Sequence, residues 1–434
     1  MNAPRNRRVF LMQSSSVGVG LCLGAFGRRR LGRSANERLN IGVIGVGGQG
    51  ATDLNNVASE NIAALCDVNE KTLGLAAELH PKAKRYHDFR QMLEQRDLDA
   101  VTVSTPDHTH AVAVVAALQL GKHVYCQKPL THSIHEARAV KAAAVRAKTA
   151  TQMGNQGHSN ESTRVIVETL RAGTLGAVSE IHAWTDRPIW PRAVDRPRDT
   201  PPIPNELHWD LWLGPAQSRP YNPAYQPFLW RGWWDFGTGA LGDMACHLLD
   251  ASFWALDLRN PASIEADCDV RHPETGPNWS VVTYRFPARK DLAPLTLTWY
   301  DGGRRPSRDL VFGRRIRENG VILVGEKGTM FIDDPYNAAF TLLPEDAFQG
   351  VKPPAPTLPR SPGHYFEWLD ACKTGEPTGS NFDYAADLTE TVLLGNLAVR
   401  LAGKIEWDAA ATRASNRPEA DPLIKPEYRR GWTL

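Results

Sequence analysis

The sequence predicts an α/β fold: a doubly wound parallel sheet at the amino-terminal end, then an α+β part built on a largely antiparallel, open sheet. Three observations predict it. Short apolar runs alternate with helix-length segments as far as about residue 155, strands then follow one another with little helix between them, and a glycine-rich turn comes directly after the first run. With 434 residues and 42% hydrophobic content, the chain can fill about two cores and is too apolar for bulk disorder.

Residues 1–34 read as an address rather than as structure. Arg7 and Arg8 precede 19 uncharged residues that include four glycines and three serines, a pattern that resembles a twin-arginine export leader. That stretch is too polar for a stable membrane span. The expectation is a periplasmic protein, whereas a misplaced start would leave it cytoplasmic. Residues 1–33 hold seven arginines and no acid, so the formal net charge of +2 falls to −5 for the remainder. A mildly acidic body argues against a nucleic-acid partner. The six cysteines are scattered, with no CxxC pair and no Cys/His cluster at metal spacing, so most of them read as buried thiols and no metal site is expected.

The first domain is placed at 35–157. Its strands are LNIGVIGV, NIAALCDV, DAVTVSTP, HVYCQKP and TATQMG, joined by helices in right-handed crossovers. The second domain is placed at 158–434. A helix over 162–172 opens it, and the strands VSEIHAWT, SIEADCDV, WSVVTYRF and LTLTWY and the hairpin VILV-GEKG-TMFI follow. Helices over 363–373 and 384–401 are expected to cover a sheet face. Between 187 and 234 runs a long Pro- and Trp-rich insert of the kind that is usually functional when ordered.

Gly45-Val46-Gly47-Gly48-Gln49-Gly50 fits G-x-G-x-x-G between a strand and a helix. The glycines allow a tight turn and let backbone N–H groups approach a pyrophosphate at the positive end of the helix. Asp67 ends the next strand 17 residues after Gly50, where its carboxylate can accept hydrogen bonds from ribose hydroxyls and would repel a 2′-phosphate. The expected cofactor is therefore NAD, with NADP disfavoured. Thr105, Pro106 and His110 follow the strand AVTVS, and Asn155 follows TATQMG, at the carboxyl edge where such sheets bind ligands. Lys128, ending HVYCQ, is held extended by Pro129 on that same rim.

In the second half, Gly237-Thr-Gly-Ala-Leu-Gly-Asp243-Met-Ala-Cys-His247-Leu-Leu-Asp250 reads as a helix with Asp243 and His247 on one face and Asp250 beside His247. An imidazole with a neighbouring carboxylate is a tunable proton acceptor. Seven of the thirteen tryptophans lie between Trp184 and Trp234, and their faces suit either the C–H faces of sugars or the packing of the insert. Trp230, Arg231 and Trp234 are the candidate substrate contacts.

These segments, VIGVGGQG with Asp67, STPDHTH, QKP and GALGDMACHLLD, resemble the glucose-fructose oxidoreductase and inositol dehydrogenase (Gfo/Idh/MocA) family over nearly the whole chain after the leader. The resemblance implies a Rossmann domain binding NAD(P) and a carboxy-terminal α/β domain whose open sheet forms a homo-oligomer, a dimer or tetramer. It also implies a small-molecule sugar or cyclitol substrate oxidised by hydride transfer, with Lys128, Asp243 and His247 as catalytic and substrate-binding groups. The family's usual glutamate before the lysine is Gln127 here, which removes a charge partner and is expected to lower the Lys128 pKa. Two further readings stay open: a redox-neutral glycoside-cleaving or epimerising enzyme with tightly held NAD, and a non-catalytic carbohydrate- or nucleotide-binding protein.

Overall fold

The computed structural model describes residues 37–434. The leader expected at 1–34 lies outside the described residues. Six parallel strands form the first sheet: β1 (Asn40–Ile44), β2 (Asn61–Cys66), β3 (Lys84–Tyr86), β4 (Ala100–Val103), β5 (His123–Gln127) and β6 (Thr151–Gly154), in the order β3-β2-β1-β4-β5-β6. Helices α1 (Gln49–Val57), α2 (Glu70–Leu79), α3 (Phe89–Leu93), α4 (His110–Gln119) and α5 (Ile134–Ala147) connect them. The strand order reverses between β1 and β4, and a crevice opens there at the carboxyl edge. Of these strands β3 was not expected. Its Lys-Arg-Tyr sequence is exposed to half-buried at the sheet edge and carries no apolar run.

Helix α6 (Glu161–Arg171) leads into the second sheet, nine strands in the order β13-β12-β11-β7-β10-β9-β8-β14-β15. These are β7 (Val178–Trp184), β8 (Ser263–Cys268), β9 (Ser280–Phe286), β10 (Leu295–Tyr300), β11 (Gly320–Gly325), β12 (Gly328–Ile332), β13 (Thr341–Leu343), β14 (Ile405–Asp408) and β15 (Arg413–Ala414). Every neighbouring pair is antiparallel except β7 with β10. The insert 187–234 holds one short α-helix, α7 (Trp209–Leu213), and two 3₁₀ turns, Pro223–Tyr225 and Leu229–Gly232; α8 (Cys246–Leu248) and α9 (Asp250–Leu256) follow it.

The chain then departs from the expected boundary. Helix α10 (His364–Thr374) returns to the first sheet, where Trp368, Leu369 and Cys372 join the core of Ile41, Val43, Leu65 and Tyr125. The Met153 N–H donates to the Ser380 carbonyl, so the segment between α10 and α11 (Phe382–Arg400) borders β6. The segment 364–380 thus completes the first domain instead of belonging to a second one that runs unbroken from 158. Cys66, Cys126, Cys246 and Cys372 are buried as thiols. Among the described residues no helix is long and apolar enough to cross a membrane.

Candidate active site

The glycine turn packs where no side chain fits. A Cβ on Gly45, whose φ is +81°, would lie 2.6 Å from the Ser104 carbonyl oxygen, and one on Gly50 would lie 2.1 Å from that of Gly45. Helix α1 therefore starts against the ends of β1 and β4, and no side chain caps it at Gly48. Gly47 stands over Thr72 of α2, while Gly48 and Gln49 face solvent. Asp67 follows β2, and its carboxylate accepts from the Val46 and Asn69 N–H groups at 3.0 and 2.9 Å. Burial raises its pKa against those hydrogen bonds. Asn155 is fully buried; its Oδ1 accepts from Ser380, and its Nδ2 has no protein partner. Glycines that admit no Cβ, an uncapped helix start, a carboxylate at the end of β2 and an orphaned buried amide together fit a dinucleotide across the crevice.

Lys128 stands one residue beyond β5. Its Nζ donates to Asp243 Oδ1 at 2.9 Å and to the Asp243 carbonyl at 2.7 Å. Two arginines of the insert close on the same carboxylate: Arg187 Nε is 3.4 Å from Oδ2, and Arg231 Nε is 3.5 Å from Oδ1. The Arg231 guanidinium lies over the rings of Trp230 and Phe228, at 4.3 and 4.4 Å. Burial by itself would raise the Asp243 pKa, but Lys128, Arg231 and Arg187 override it and hold the group at about 2.

His247 is buried. Burial first, and then the charge of Lys128, push its pKa down to about 3, so the imidazole is neutral at physiological pH. Its Nδ1 is buried without a hydrogen-bond partner, and the ring meets Tyr336 edge-on at 5.0 Å. Asn337 donates to the His247 carbonyl at 3.1 Å and fixes the turn.

The expected single helix is instead a π-helical turn, Leu241–Ala245, running into α8 and α9. A π turn widens the spiral and resets which residues share a face. Asp250 is engaged elsewhere: its carboxylate lies 3.0 Å from His158 Nδ1 and accepts from Tyr384 at 2.6 Å. The expectation that Asp250 would stand beside His247 is corrected by these contacts, and the helix is interrupted at Leu249 between the two residues.

Other expected contacts shift as well. His110 is buried, and its ring nitrogens lie 2.8 Å from the Pro129 and Thr105 carbonyls, so it ties the Lys128 turn to β4 and has no nitrogen left for a cofactor. Thr105 and Pro106 accept from the Thr109 hydroxyl within that loop. Trp234 packs into the main core and spends its N–H on the His272 carbonyl, which makes it a packing residue. Trp230 is buried with Trp209, Trp212, Trp233 and Phe236 in the core of the insert, where it supports Arg231. Arg187 and Tyr336 reach the site without having been singled out. The position of Arg187 at the head of the insert was its one visible signal, and Tyr336 had none.

Residues 39–155 match the family described as oxidoreductases with an NAD-binding Rossmann fold, and residues 171–292 match the C-terminal alpha/beta domain of that family. The two matches cover more than half the chain. This protein belongs to the Gfo/Idh/MocA oxidoreductase family. The inositol 2-dehydrogenase of Rhodococcus erythropolis is 32% identical over 167 residues, 37% of this chain and 48% of that one. A glycosyl hydrolase family 109 protein of Solibacter usitatus is 35% identical over 154 residues, 30% of this chain and 34% of that one. The chain thus spans about half or less of the length of these curated relatives. Among solved structures, the WlbA dehydrogenase of Bordetella pertussis in complex with NADH and UDP-GlcNAcA superposes with a TM-score of 0.62 at 16% identity, over 86% of this chain and 99% of that one. At that identity the likeness establishes the fold alone.

Proposed function

We propose that this family member is an NAD-dependent dehydrogenase acting on a hydroxyl of a sugar or cyclitol. One observation carries the reading: a neutral, buried imidazole with an unpartnered nitrogen, His247, beside a lysine held by an ionised carboxylate. NAD, when bound, supplies the acceptor for the hydride lost from the carbon. Lys128 donates a hydrogen bond to the hydroxyl oxygen and stabilises the charge that develops there. His247 takes the hydroxyl proton. An imidazole depressed to about 3 is a weak base, so the hydroxyl must be acidified by Lys128 before transfer. Asp243, clamped by Lys128, Arg187 and Arg231, fixes the lysine and faces the imidazolium that forms.

NADH formation on a panel of inositols, aldoses and glycosides tests this. Lys128→Ala and His247→Ala should each lower kcat/KM by ~10²–10⁴ while NAD still binds. Variants within about tenfold of the wild type would overturn the assignment.

The likeness to a family 109 glycosyl hydrolase supports a second reading: transient oxidation, elimination and reduction on one sugar, with no net redox. The Arg7-Arg8 leader is consistent with it, because an exported folded protein would carry its NAD inside. Denaturing the purified protein and identifying released nucleotide separates the two. Stoichiometric NAD(H) that survives dialysis favours the redox-neutral cycle, and empty protein favours the dehydrogenase. The open nine-stranded sheet supports a homo-oligomer.

A further inference from the structure

Beside Asp67, at the end of β2, three side chains far apart in sequence converge. Glu70 lies in the first turn of α2, His87 follows β3, and His208 belongs to the insert. The insert is pinned there by its backbone. The Glu70 N–H donates to the Glu206 carbonyl at 2.8 Å, and the His208 N–H donates to the Val68 carbonyl at 2.9 Å. His87 Nε2 lies 2.8 Å from Glu70 Oε1, and His208 Nε2 lies 3.4 Å from the same oxygen. The two imidazoles stack at 4.2 Å with 26° between their planes. One donor atom from each residue falls within a 4.8 Å sphere of separations.

The hydrogen bonding of His87 makes this convergence informative. Its Nδ1 lies 2.9 Å from the Asp67 carbonyl oxygen, which can only accept, so Nδ1 carries the hydrogen. In the neutral ring, Nε2 then turns a bare lone pair toward a carboxylate oxygen that also only accepts. A cation must stand between them. A proton on His87 would serve that one contact, leaving an imidazolium stacked on the second imidazole. A metal ion would take both rings and the carboxylate together. A ring whose far N–H is anchored on a backbone carbonyl is the usual arrangement of a metal-binding histidine, because that bond fixes the tautomer and aims the other nitrogen. Ligand atoms bound at about 2.0–2.1 Å in a tetrahedron stand about 3.3 Å apart, between the two nitrogen-to-oxygen distances found here. Glu70 and His208 are exposed and His87 is half-buried, so an ion can enter from solution.

We propose that Glu70, His87 and His208 form a binding site for one divalent transition-metal ion, held by two imidazole nitrogens and a carboxylate, with water completing the shell. Two nitrogens and one oxygen suit zinc, and the ion would tie the insert to the cofactor domain at the adenosine end of the crevice. The proposal is independent of the reaction assigned to Lys128 and His247.

Zinc titration of untagged full-length protein by calorimetry, after chelator treatment, tests it. The expected result is one saturable site per chain and a melting temperature that rises with zinc. His87→Ala and His208→Ala should each weaken binding at least tenfold and abolish the rise, while melting like the wild type when zinc is absent. Cobalt(II) in place of zinc should give visible absorption bands that both variants lose. Wild-type protein that takes up no zinc would overturn the proposal and leave a protonated His87 paired with Glu70. Variants that bind zinc as tightly as the wild type would overturn it equally.

Discussion

Gln127 shows how one residue is chosen by its surroundings. Its Nε2 donates to both oxygens of Asp53, each at 2.9 Å. Asp53 also accepts from Ser104 at 2.6 Å and Tyr365 at 2.7 Å, so a fully buried carboxylate is satisfied wholly by donors. A glutamate at 127 would set two carboxylates face to face. The room is fixed on the other side as well, because a Cβ on Gly154 would lie 2.7 Å from the Gln127 amide. The charge partner of Lys128 is thus not its chain neighbour but Asp243, 115 residues away. Gln127→Glu should cost about 1–3 kcal/mol through the lost donor, with more from charge repulsion, and Asp53→Asn in that background should recover most of it. Urea denaturation of the wild type and the two variants measures this. A single variant as stable as the wild type would show that the amide does not donate to Asp53. Lys128, Asp243 and His247 were legible because a proline, a strand end and a short motif announce them. Arg187 and Tyr336 were not, because irregular segments carry no periodicity to reveal which way a side chain faces.

At the scale of elements, strands with strong apolar runs were legible, and their pairing followed from the helices between them. The strands that escaped, β3, β13, β14 and β15, have two to four residues each and lie at or next to sheet edges, where little apolar surface is needed. The π turn at Leu241–Ala245 escaped for another reason: a helical pattern reveals neither one widened turn nor the break at Leu249 between α8 and α9. The return of α10 to the first sheet was equally hidden, since an amphipathic helix says that it covers a face but not which face. Its central residue is Trp368, fully buried and 5.7 Å between ring centroids from Tyr125 of β5. Trp368→Ala should destabilise the protein by about 3–5 kcal/mol, a cavity cost that belongs to the core of the cofactor domain. If α10 instead docked loosely, calorimetric melting of the variant would shift by no more than a degree or two.

Across the whole molecule, the buried imidazoles set the response to acid. Burial pushes His108 and His247 down to about 3 and His364 to about 4, so all three are folded as neutral rings. In the unfolded chain each regains a pKa of about 6.5 and takes up a proton that the native state refuses. Their contribution is complete above about pH 6.5 and falls as pH drops toward 4, by up to about 1.4 kcal/mol per unit for each ring. Asp301 acts in the opposite sense. Burial raises its pKa to about 6 against hydrogen bonds from Trp299 and Ser280, so the native state gains a proton there before the unfolded chain does. Between about pH 6 and pH 4 this offsets one imidazole and leaves two. Asp243, held at about 2, enters only in stronger acid. The urea midpoint should therefore be nearly flat from pH 8 to 7 and fall steeply below 6, with a limiting slope of about 3 kcal/mol per pH unit in unfolding free energy. A midpoint unchanged between pH 7 and 5 would mean that these rings take up protons in the folded protein as readily as in the unfolded chain. His247 would then be an ordinary base rather than the depressed one that depends on Lys128 to acidify the hydroxyl, so a stability curve tests the proposed chemistry without any substrate.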